Sequence, residues 1–257
     1  MSATAAVLAA KGVALRYPGA PDPVLQGFDL SLAPGEVVSV LGPSGVGKSS
    51  LLRVLGGLQP PSAGTVSVGG TTLHDVHPRL AIAFQNPGLL PWLSLEKNVA
   101  FGLDFKRQPR LSRDELRQRV DEAISEVGLS HARRLYPSAL SGGMAQRAAL
   151  ARCLARKPEV LLLDEPFGAL DEVTRAEMQQ LLLKVVADFR TAAVLVTHDI
   201  DEALLVSDRV LLLGGSPAQR IGEWAIDLPH PRDDHVSELG ALRVEILTTL
   251  RAAIRRH

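Results

Sequence analysis

Short apolar runs alternate with amphipathic segments along most of this chain. Segment 36–41 is an almost unbroken apolar run, which is typical of a strand buried on both faces of a parallel sheet. After the capping-box pair Ser112 and Glu115, apolar residues recur at helical spacing as far as Gly128. The pattern predicts strands at 13–17, 36–41, 64–70, 80–84, 160–163, 193–196 and 209–213, and helices at 49–55, 113–127, 142–156, 175–189 and 201–206. Such alternation indicates an α/β fold with right-handed crossovers.

The composition is that of a soluble globular protein. The chain has 257 residues, of which 46% are hydrophobic and 22% are charged. Its 28 Lys and Arg balance 28 Asp and Glu, so it lacks the basic excess expected of a nucleic-acid-binding protein. The single cysteine, Cys153, excludes an internal disulfide, and its apolar neighbours predict a buried, inert thiol rather than a nucleophile.

Neither a membrane span nor a signal peptide is predicted. No segment approaches the ~18 consecutive apolar residues that a spanning helix needs. The alanine-rich start lacks a basic region and its apolar run is short. We therefore expect a cytosolic protein that another protein must hold if it works at a membrane.

A glycine-rich loop joins the strand at 36–41 to the helix at 49–55. From Gly42 to Ser49 it matches G-x-x-x-x-G-K-[ST], a pattern whose backbone N–H groups form a concave nest for a polyphosphate. Lys48 would supply a charge for the β- and γ-phosphates, and Ser49 a hydroxyl for Mg²⁺. A glycine loop without chemical function is the alternative, and the flanking strand and helix disfavour it. This phosphate loop (residues 42–49) predicts a nucleotide ligand.

Two carboxylates follow the apolar strand at 160–163. Asp164 and Glu165 should lie at the C-terminal edge of the sheet, where ligands bind in open α/β folds. Asp164 is suited to hold Mg²⁺ through a water molecule, and Glu165 to orient and activate an attacking water. A solvated acidic turn is the alternative, but the phosphate loop favours a catalytic pair.

Residues 140–147 read Leu-Ser-Gly-Gly-Met-Ala-Gln-Arg and predict a second anion-binding helix start. Ser141 is a good N-cap, and Gly142 and Gly143 expose backbone amides. Alone, this would be an ordinary helix cap. The order of phosphate loop, Ser-Gly-Gly helix and Asp-Glu strand resembles the ATP-binding subunits of ABC transporters, in which Leu-Ser-Gly-Gly is the signature. Met144 departs from the family's frequent glutamine, which is tolerable because backbone N–H groups make the contact.

The resemblance covers roughly residues 11–215 and implies further roles. It identifies Gln85 as the glutamine that senses Mg²⁺ and the lytic water, and His198 as the switch histidine at the γ-phosphate. It matches Asp171 to a loop that crosses the dimer interface, and Tyr17 to an aromatic that stacks on adenine. Taken singly, Gln85 would be a surface amide, His198 a capped or core histidine, and Tyr17 a core aromatic.

The resemblance thus implies ATP and Mg²⁺ as cofactors, with four groups of site residues. They are the ATP-binding residues Tyr17, Gly42, Pro43, Ser44, Gly45, Val46, Gly47, Lys48, Ser49 and Ser50; the catalytic residues Glu165, His198 and Gln85; the Mg²⁺ residues Ser49, Gln85 and Asp164; and the signature residues Ser141, Gly142, Gly143 and Met144, which act on the ATP of a second subunit.

The resemblance also implies a P-loop NTPase core with a mostly parallel sheet, an N-terminal antiparallel β-subdomain and an inserted α-helical subdomain. We expect one ATP-binding domain over 1–257. Its nucleotide-binding core is expected at about 1–85 and 158–228, the helical subdomain at about 86–157, and a C-terminal helical tail at about 229–257.

The partners implied are a second copy docked head to tail, integral-membrane permease subunits and a periplasmic or lipid-anchored solute-binding protein, with no nucleic acid. Each ATP would lie between Lys48 of one copy and Ser141 of the other. The protein would act at the cytoplasmic face of the inner membrane. Trp92, in a loop between Pro91 and Leu93, is expected to anchor a permease helix, whereas Leu89 is as readily a core residue.

Segments 86–92, 98–103 and 228–233 resemble the nitrate, sulfonate and taurine group of bacterial importers, which includes importers of vitamin precursors. The predicted function is therefore ATP hydrolysis that powers import of small anionic or vitamin-precursor solutes. An exporter ATPase is the first alternative. A soluble non-transport ATPase is the second, and the chain has neither the long coiled-coil insertion nor the two cassettes of such relatives.

Overall fold

The computed structural model describes residues 5–254. The strands are β1 (Leu8–Leu15), β2 (Leu25–Leu32), β3 (Val37–Leu41), β4 (Ala63–Val68), β5 (Thr71–Thr72), β6 (Leu80–Ala83), β7 (Val160–Asp164), β8 (Ala192–Thr197), β9 (Arg209–Gly214) and β10 (Gln219–Ala225). The α-helices are α1 (Lys48–Leu55), α2 (Leu95–Ala100), α3 (Arg113–Glu126), α4 (Gly142–Leu154), α5 (Glu172–Phe189), α6 (Ile200–Val206) and α7 (Val236–Ile254).

Two sheets carry the fold. The larger has the order β10-β9-β3-β8-β7-β6, in which β9 to β6 pair in parallel and β10 pairs antiparallel with β9. The smaller is antiparallel, with the order β2-β1-β4-β5. The predicted α/β fold with an N-terminal antiparallel sheet is confirmed. The phosphate loop leaves β3, a central strand, so it opens at the C-terminal edge of the larger sheet.

Both faces of the larger sheet are buried, which explains its unbroken apolar strands. Along β7, Leu161 and Leu163 pack against α3, α4 and α5, whereas Val160 and Leu162 face α1 and the antiparallel sheet. A third cluster joins β9, α6 and α7 around Ile246, which is fully buried. The tail helix α7 thus packs against β9 and α6 with one apolar side. No helix within residues 5–254 combines the length and apolar character that crossing a membrane requires.

The capping box predicted before α3 is present. The Ser112 hydroxyl accepts from the backbone N–H of Glu115, and the Glu115 carboxylate accepts from the N–H of Ser112. Gly128 follows Val127, the C-cap of this helix, and has φ +73°, a left-handed conformation that glycine adopts without strain. These two local signals bounded the helix correctly.

Five elements were missed or misplaced by the pattern, one of them the two-residue strand β5. The first strand was predicted at 13–17 but begins at Leu8, because a bulge near Gly12 interrupts its period-two alternation. Strand β2 was not predicted. Helix α2 is a short segment within a loop-rich stretch, and β10 is an edge strand with mostly solvated side chains. Neither gives a strong periodic signal.

Candidate active site

The phosphate loop runs from the end of β3 into the first turn of α1. Gly47 is the N-cap of α1 with φ +102°, and a Cβ there would lie 2.8 Å from Val24 Cγ1. A Cβ on Gly42 would lie 2.9 Å from the carbonyl oxygen of Leu213. Only glycine fits at these two positions. Because they carry no side chains, the backbone amides of the loop can lie close to a bound ligand.

The Lys48 ammonium lies against the loop itself. Its Nζ donates to the carbonyl oxygens of Gly42 at 2.8 Å and Pro43 at 3.0 Å. Burial lowers the pKa of Lys48, and the nearby carboxylates of Glu165 and Asp164 oppose that shift. The lysine therefore brings a poorly hydrated positive charge to the phosphate loop, where an anion would replace the missing solvation.

The side chains of Ser49, on α1, and Asp164, at the end of β7, form a hydrogen bond. The Ser49 hydroxyl donates to Asp164 Oδ1 at 3.0 Å. Asp164 ends β7 and is 9% exposed. Burial raises the pKa of its carboxyl, and the Ser49 hydrogen bond works in the opposite direction. Oxygen donors of this kind are the ligands that Mg²⁺ prefers.

Glu165 follows β7, and its side chain contacts residues that follow the neighbouring strands β6 and β8. Gln85 Nε2 donates to its Oε2 at 3.1 Å, and His198 Nδ1 lies 3.1 Å from its Oε1. Glu165 has φ +44°, a left-handed conformation that is strained for a residue with a side chain. Its N–H donates to Val196 O at 2.8 Å, so the pairing with β8 supports this conformation. The carboxylate is thereby aimed between Gln85 and His198.

Tyr17 lies beside the start of α1. Its hydroxyl is 2.8 Å from Ser50 Oγ, and the residue is 37% exposed. Tyr17 is therefore not a core residue, which was the alternative considered from the sequence. Part of the residue is accessible to a ligand. The residues expected at the phosphates, the metal and the base therefore lie around one loop.

The signature residues form a separate cluster. Ser141 caps α4 by accepting from Met144 N at 3.3 Å, and Met144 packs on the helical core. A Cβ on Gly143 would lie 2.4 Å from Thr174 Cγ2, and Asp171 accepts from the Thr174 hydroxyl at 2.7 Å. No hydrogen bond within residues 5–254 links this cluster to the phosphate loop of the same chain.

Two residues of α4 bind the segment after β6, and neither role was predicted from the sequence. Gln146 Nε2 donates to the carbonyl oxygen of Gln85 at 2.9 Å. Arg152 donates to the carbonyls of Pro87 at 2.7 Å and Gly88 at 2.9 Å. Their partners are backbone carbonyls, which leave no residue-type signature. Helix α4 thus joins the signature cluster to the loop that carries Gln85.

The loop at residues 89–93, hereafter the Trp92 loop, presents an aromatic side chain to solvent. Trp92 is 69% exposed, whereas Leu89 packs against the helical core, as the sequence allowed. Cys153 on α4 is buried, and burial raises its pKa to about 11. The expected inert thiol is confirmed, and it takes no part in the site.

The chain is similar in sequence and in fold to known proteins. A protein-family model described as ABC transporter matches residues 25–168. An aliphatic sulfonates import ATP-binding protein of Xanthomonas axonopodis pv. citri is 45% identical over 229 residues, which span 88% of this chain and 90% of that protein. A nitrate import ATP-binding protein of Synechococcus elongatus is 45% identical over 209 residues, which span 81% of this chain and 32% of that protein. A dimeric ATP-binding cassette, solved in a post-hydrolysis state with ADP and Pi, is similar with a TM-score of 0.75 and 31% identity, covering 86% of this chain and 100% of that one.

Proposed function

The chain belongs to the ABC transporter family of ATP-binding subunits, and on that premise we propose that it powers an importer of small anionic solutes. It is an ATPase that binds ATP. The observation that carries the assignment of the site is the convergence of Gln85 and His198 on the carboxylate of Glu165, next to the phosphate loop.

We assign the residues that bind the phosphates, the base and Mg²⁺ from the groups that lie around the phosphate loop. The loop amides and Lys48 bind the phosphates, and Tyr17 stacks on the base. Ser49, Asp164 and Gln85 offer oxygen atoms to Mg²⁺, and the partly buried hydrogen bond between Ser49 and Asp164 supports this fit. When bound, Mg²⁺ neutralises charge that develops on the phosphate oxygens.

Hydrolysis is assigned to Glu165. Its carboxylate holds the attacking water and accepts a proton while the water oxygen bonds to the γ-phosphorus. The bond from that phosphorus to the bridging oxygen breaks, which leaves ADP and phosphate. Gln85 and His198 orient the carboxylate through the contacts that they make with its two oxygens.

The signature cluster serves a second copy of the chain. Gly142 and Gly143 offer backbone amides at a helix start, which Ser141 caps by accepting from the N–H of Met144. We assign these four residues to the ATP of a partner copy. In a head-to-tail dimer they bind the ATP held by Lys48 of the partner, and Asp171 lies at the interface. ATP then favours the closed dimer because both copies contact it only in that state. The dimeric form of the similar cassette supports this arrangement.

The Trp92 loop is the proposed contact with the permease, at the cytoplasmic face of the membrane. Backbone pairing of Leu95 N with Leu135 O at 2.8 Å joins the start of α2, which follows this loop, to the segment that carries half-exposed Tyr136. Exposed aromatic side chains such as Trp92 suit the apolar side of a short permease helix. Within the described residues, we assign 86–157 to the helical subdomain that carries this surface, 5–85 and 158–228 to the nucleotide-binding core, and 229–254 to the tail.

The cargo assignment rests on the similarity to sulfonate and nitrate import subunits. We assign sulfonates and comparable small anions as solutes, delivered by a periplasmic or lipid-anchored binding protein. The test is to purify the tagged chain from native membranes in mild detergent, identify the membrane proteins and binding protein that come with it, and reconstitute them in liposomes. Alkanesulfonate or nitrate should stimulate ATPase activity when supplied with the binding protein. Stimulation only by solute on the ATPase side would contradict import.

A further inference from the structure

A buried asparagine supports the exposed Trp92 loop. Asn98 lies on α2 and is 0% exposed. Its Oδ1 accepts from Leu90 N at 2.7 Å, and its Nδ2 lies within donating distance of the carbonyls of Leu90 at 3.1 Å, Leu93 at 2.9 Å and Ser94 at 3.2 Å. Both ends of one side-chain amide therefore bind the backbone on either side of Trp92.

The remaining contacts fix the same loop to a rigid base. Leu93 N donates to Leu90 O at 3.1 Å, which closes a turn around Pro91 and Trp92. Helix α2 is itself held, because Glu96 N donates to Arg133 O at 3.0 Å and the Arg133 guanidinium binds the Glu96 carboxylate at 2.8 Å. Leu95 and Val99 are fully buried on that helix. The loop therefore has one defined backbone conformation while its aromatic side chain stays in solvent.

We propose that Asn98 is a positioning residue that pre-forms the Trp92 loop for the permease helix, an inference that rests on the docking role proposed for Trp92. A loop ordered before association loses little conformational freedom on binding, which favours affinity. A buried amide is well suited to this task because it must satisfy its hydrogen bonds, and only the ordered loop provides them. An apolar residue of similar size would fill the space without selecting a loop conformation.

Two substitutions separate positioning from packing. Asn98→Leu keeps the approximate volume and removes all four contacts. Asn98→Asp keeps the acceptor for Leu90 N but turns an oxygen towards three carbonyl oxygens. Gln179→Leu is the matched control, since Gln179 is another nearly buried side-chain amide, on α5. Trp224→Phe as the background leaves Trp92 as the single tryptophan, because the chain has two.

Three measurements are made on the full chain: thermal unfolding, Trp92 fluorescence anisotropy with acrylamide quenching, and affinity for the permease in nanodiscs. Both Asn98 variants should stay folded and bind ATP as the background does. Their Trp92 anisotropy should fall, and permease affinity should drop by roughly tenfold or more. Gln179→Leu should leave anisotropy and affinity unchanged, whatever its effect on thermal stability. Permease affinity that Asn98→Leu leaves unchanged overturns the proposal.

Hydrogen exchange of the unsubstituted chain tests the same point if the variants fail to fold. The amides of Leu90 and Leu93 should be protected without permease. Exchange at unstructured-loop rates, with protection only in the complex, overturns pre-formation. Trp92→Ala separates the docking role of Trp92 from the positioning role of Asn98. Normal permease binding by Trp92→Ala overturns the docking role itself. If Trp92→Ala loses binding while Asn98→Leu binds normally, only the role of Asn98 is overturned.

Discussion

The Ser49 hydroxyl donates a 3.0 Å hydrogen bond to Asp164 Oδ1, although the two residues are 115 positions apart. Ser49 lies in the first turn of α1 and Asp164 ends β7, so the contact joins the phosphate loop to the strand that carries the two carboxylates. Burial raises the pKa of Asp164, although Ser49, Arg53 and Lys48 act in the opposite direction. A bound cation such as Mg²⁺ would stabilise this carboxylate further.

Asp164→Asn is expected to stabilise the subunit without nucleotide while abolishing Mg²⁺-dependent turnover. A carboxyl with a raised pKa holds its proton more tightly in the folded state, so stability falls as pH rises from the unfolded value of Asp towards the folded one. The variant lacks this loss, and its melting temperature at pH 7 should exceed that of the parent by roughly 2–4 °C per kcal/mol gained. Melting curves from pH 3 to 8 should converge at low pH. A variant that is less stable at pH 7 would contradict the assignment.

Glu165→Gln should retain ATP binding and lose turnover by about 10²–10⁴-fold, because the amide cannot accept a proton from water. ATP should then persist and trap the dimer. Size-exclusion chromatography with Mg·ATP, compared with Mg·ADP as the control, measures this. A strictly monomeric elution with ATP would argue against the head-to-tail dimer.

Ser141→Arg should abolish ATPase activity with near-normal nucleotide affinity of the monomer, because this residue serves the partner's ATP. Mixing it with Lys48→Ala should restore one complete site per heterodimer. ATPase activity across mixing ratios is the measurement, and each variant alone is the control. With both variants folded, no recovery at any ratio would count against a shared site, provided one intact site suffices for turnover.

Tyr17→Ala should weaken ATP binding by about 1–3 kcal/mol, the range for loss of one base–aromatic stack. Tyr17→Phe keeps the ring and loses only the Ser50 contact, so its loss should be smaller. Isothermal titration with ATP and tripolyphosphate checks this, since the second ligand has no base. Equal weakening for both ligands would show that Tyr17 supports the loop instead of the base.

Trp92→Ala should leave folding and ATP binding intact, because 69% of the residue is exposed. Co-purification with the permease, and transport, should be lost, with at least about 2 kcal/mol of binding free energy removed as for an interface hot spot. Phe189→Ala is the control, since Phe189 is a half-exposed aromatic at the end of α5. Normal transport by the Trp92 variant, or its unfolding, would refute the docking role.

The sequence by itself determined the family, the fold class and most elements with strong local signals. The phosphate loop, the Ser112 capping box and the apolar strand before Asp164 each depend on residues close together in the chain, so their patterns can be read directly. The family resemblance drawn from the order of these motifs is confirmed by the family match and the relatives. The residue roles that it implies stay predictions.

The tertiary structure alone decided which distant groups meet. The order of the strands in the sheet brings Ser49 to Asp164, and Gln85 and His198 to Glu165. The packing of α4 on β6 allows Gln146 to bind the backbone of Gln85. Asn98 is the clearest case, because a lone asparagine in a short helix gives no sequence signal. Its four contacts form with backbone groups, which every residue carries, so only the folded positions of α2 and the Trp92 loop identify it.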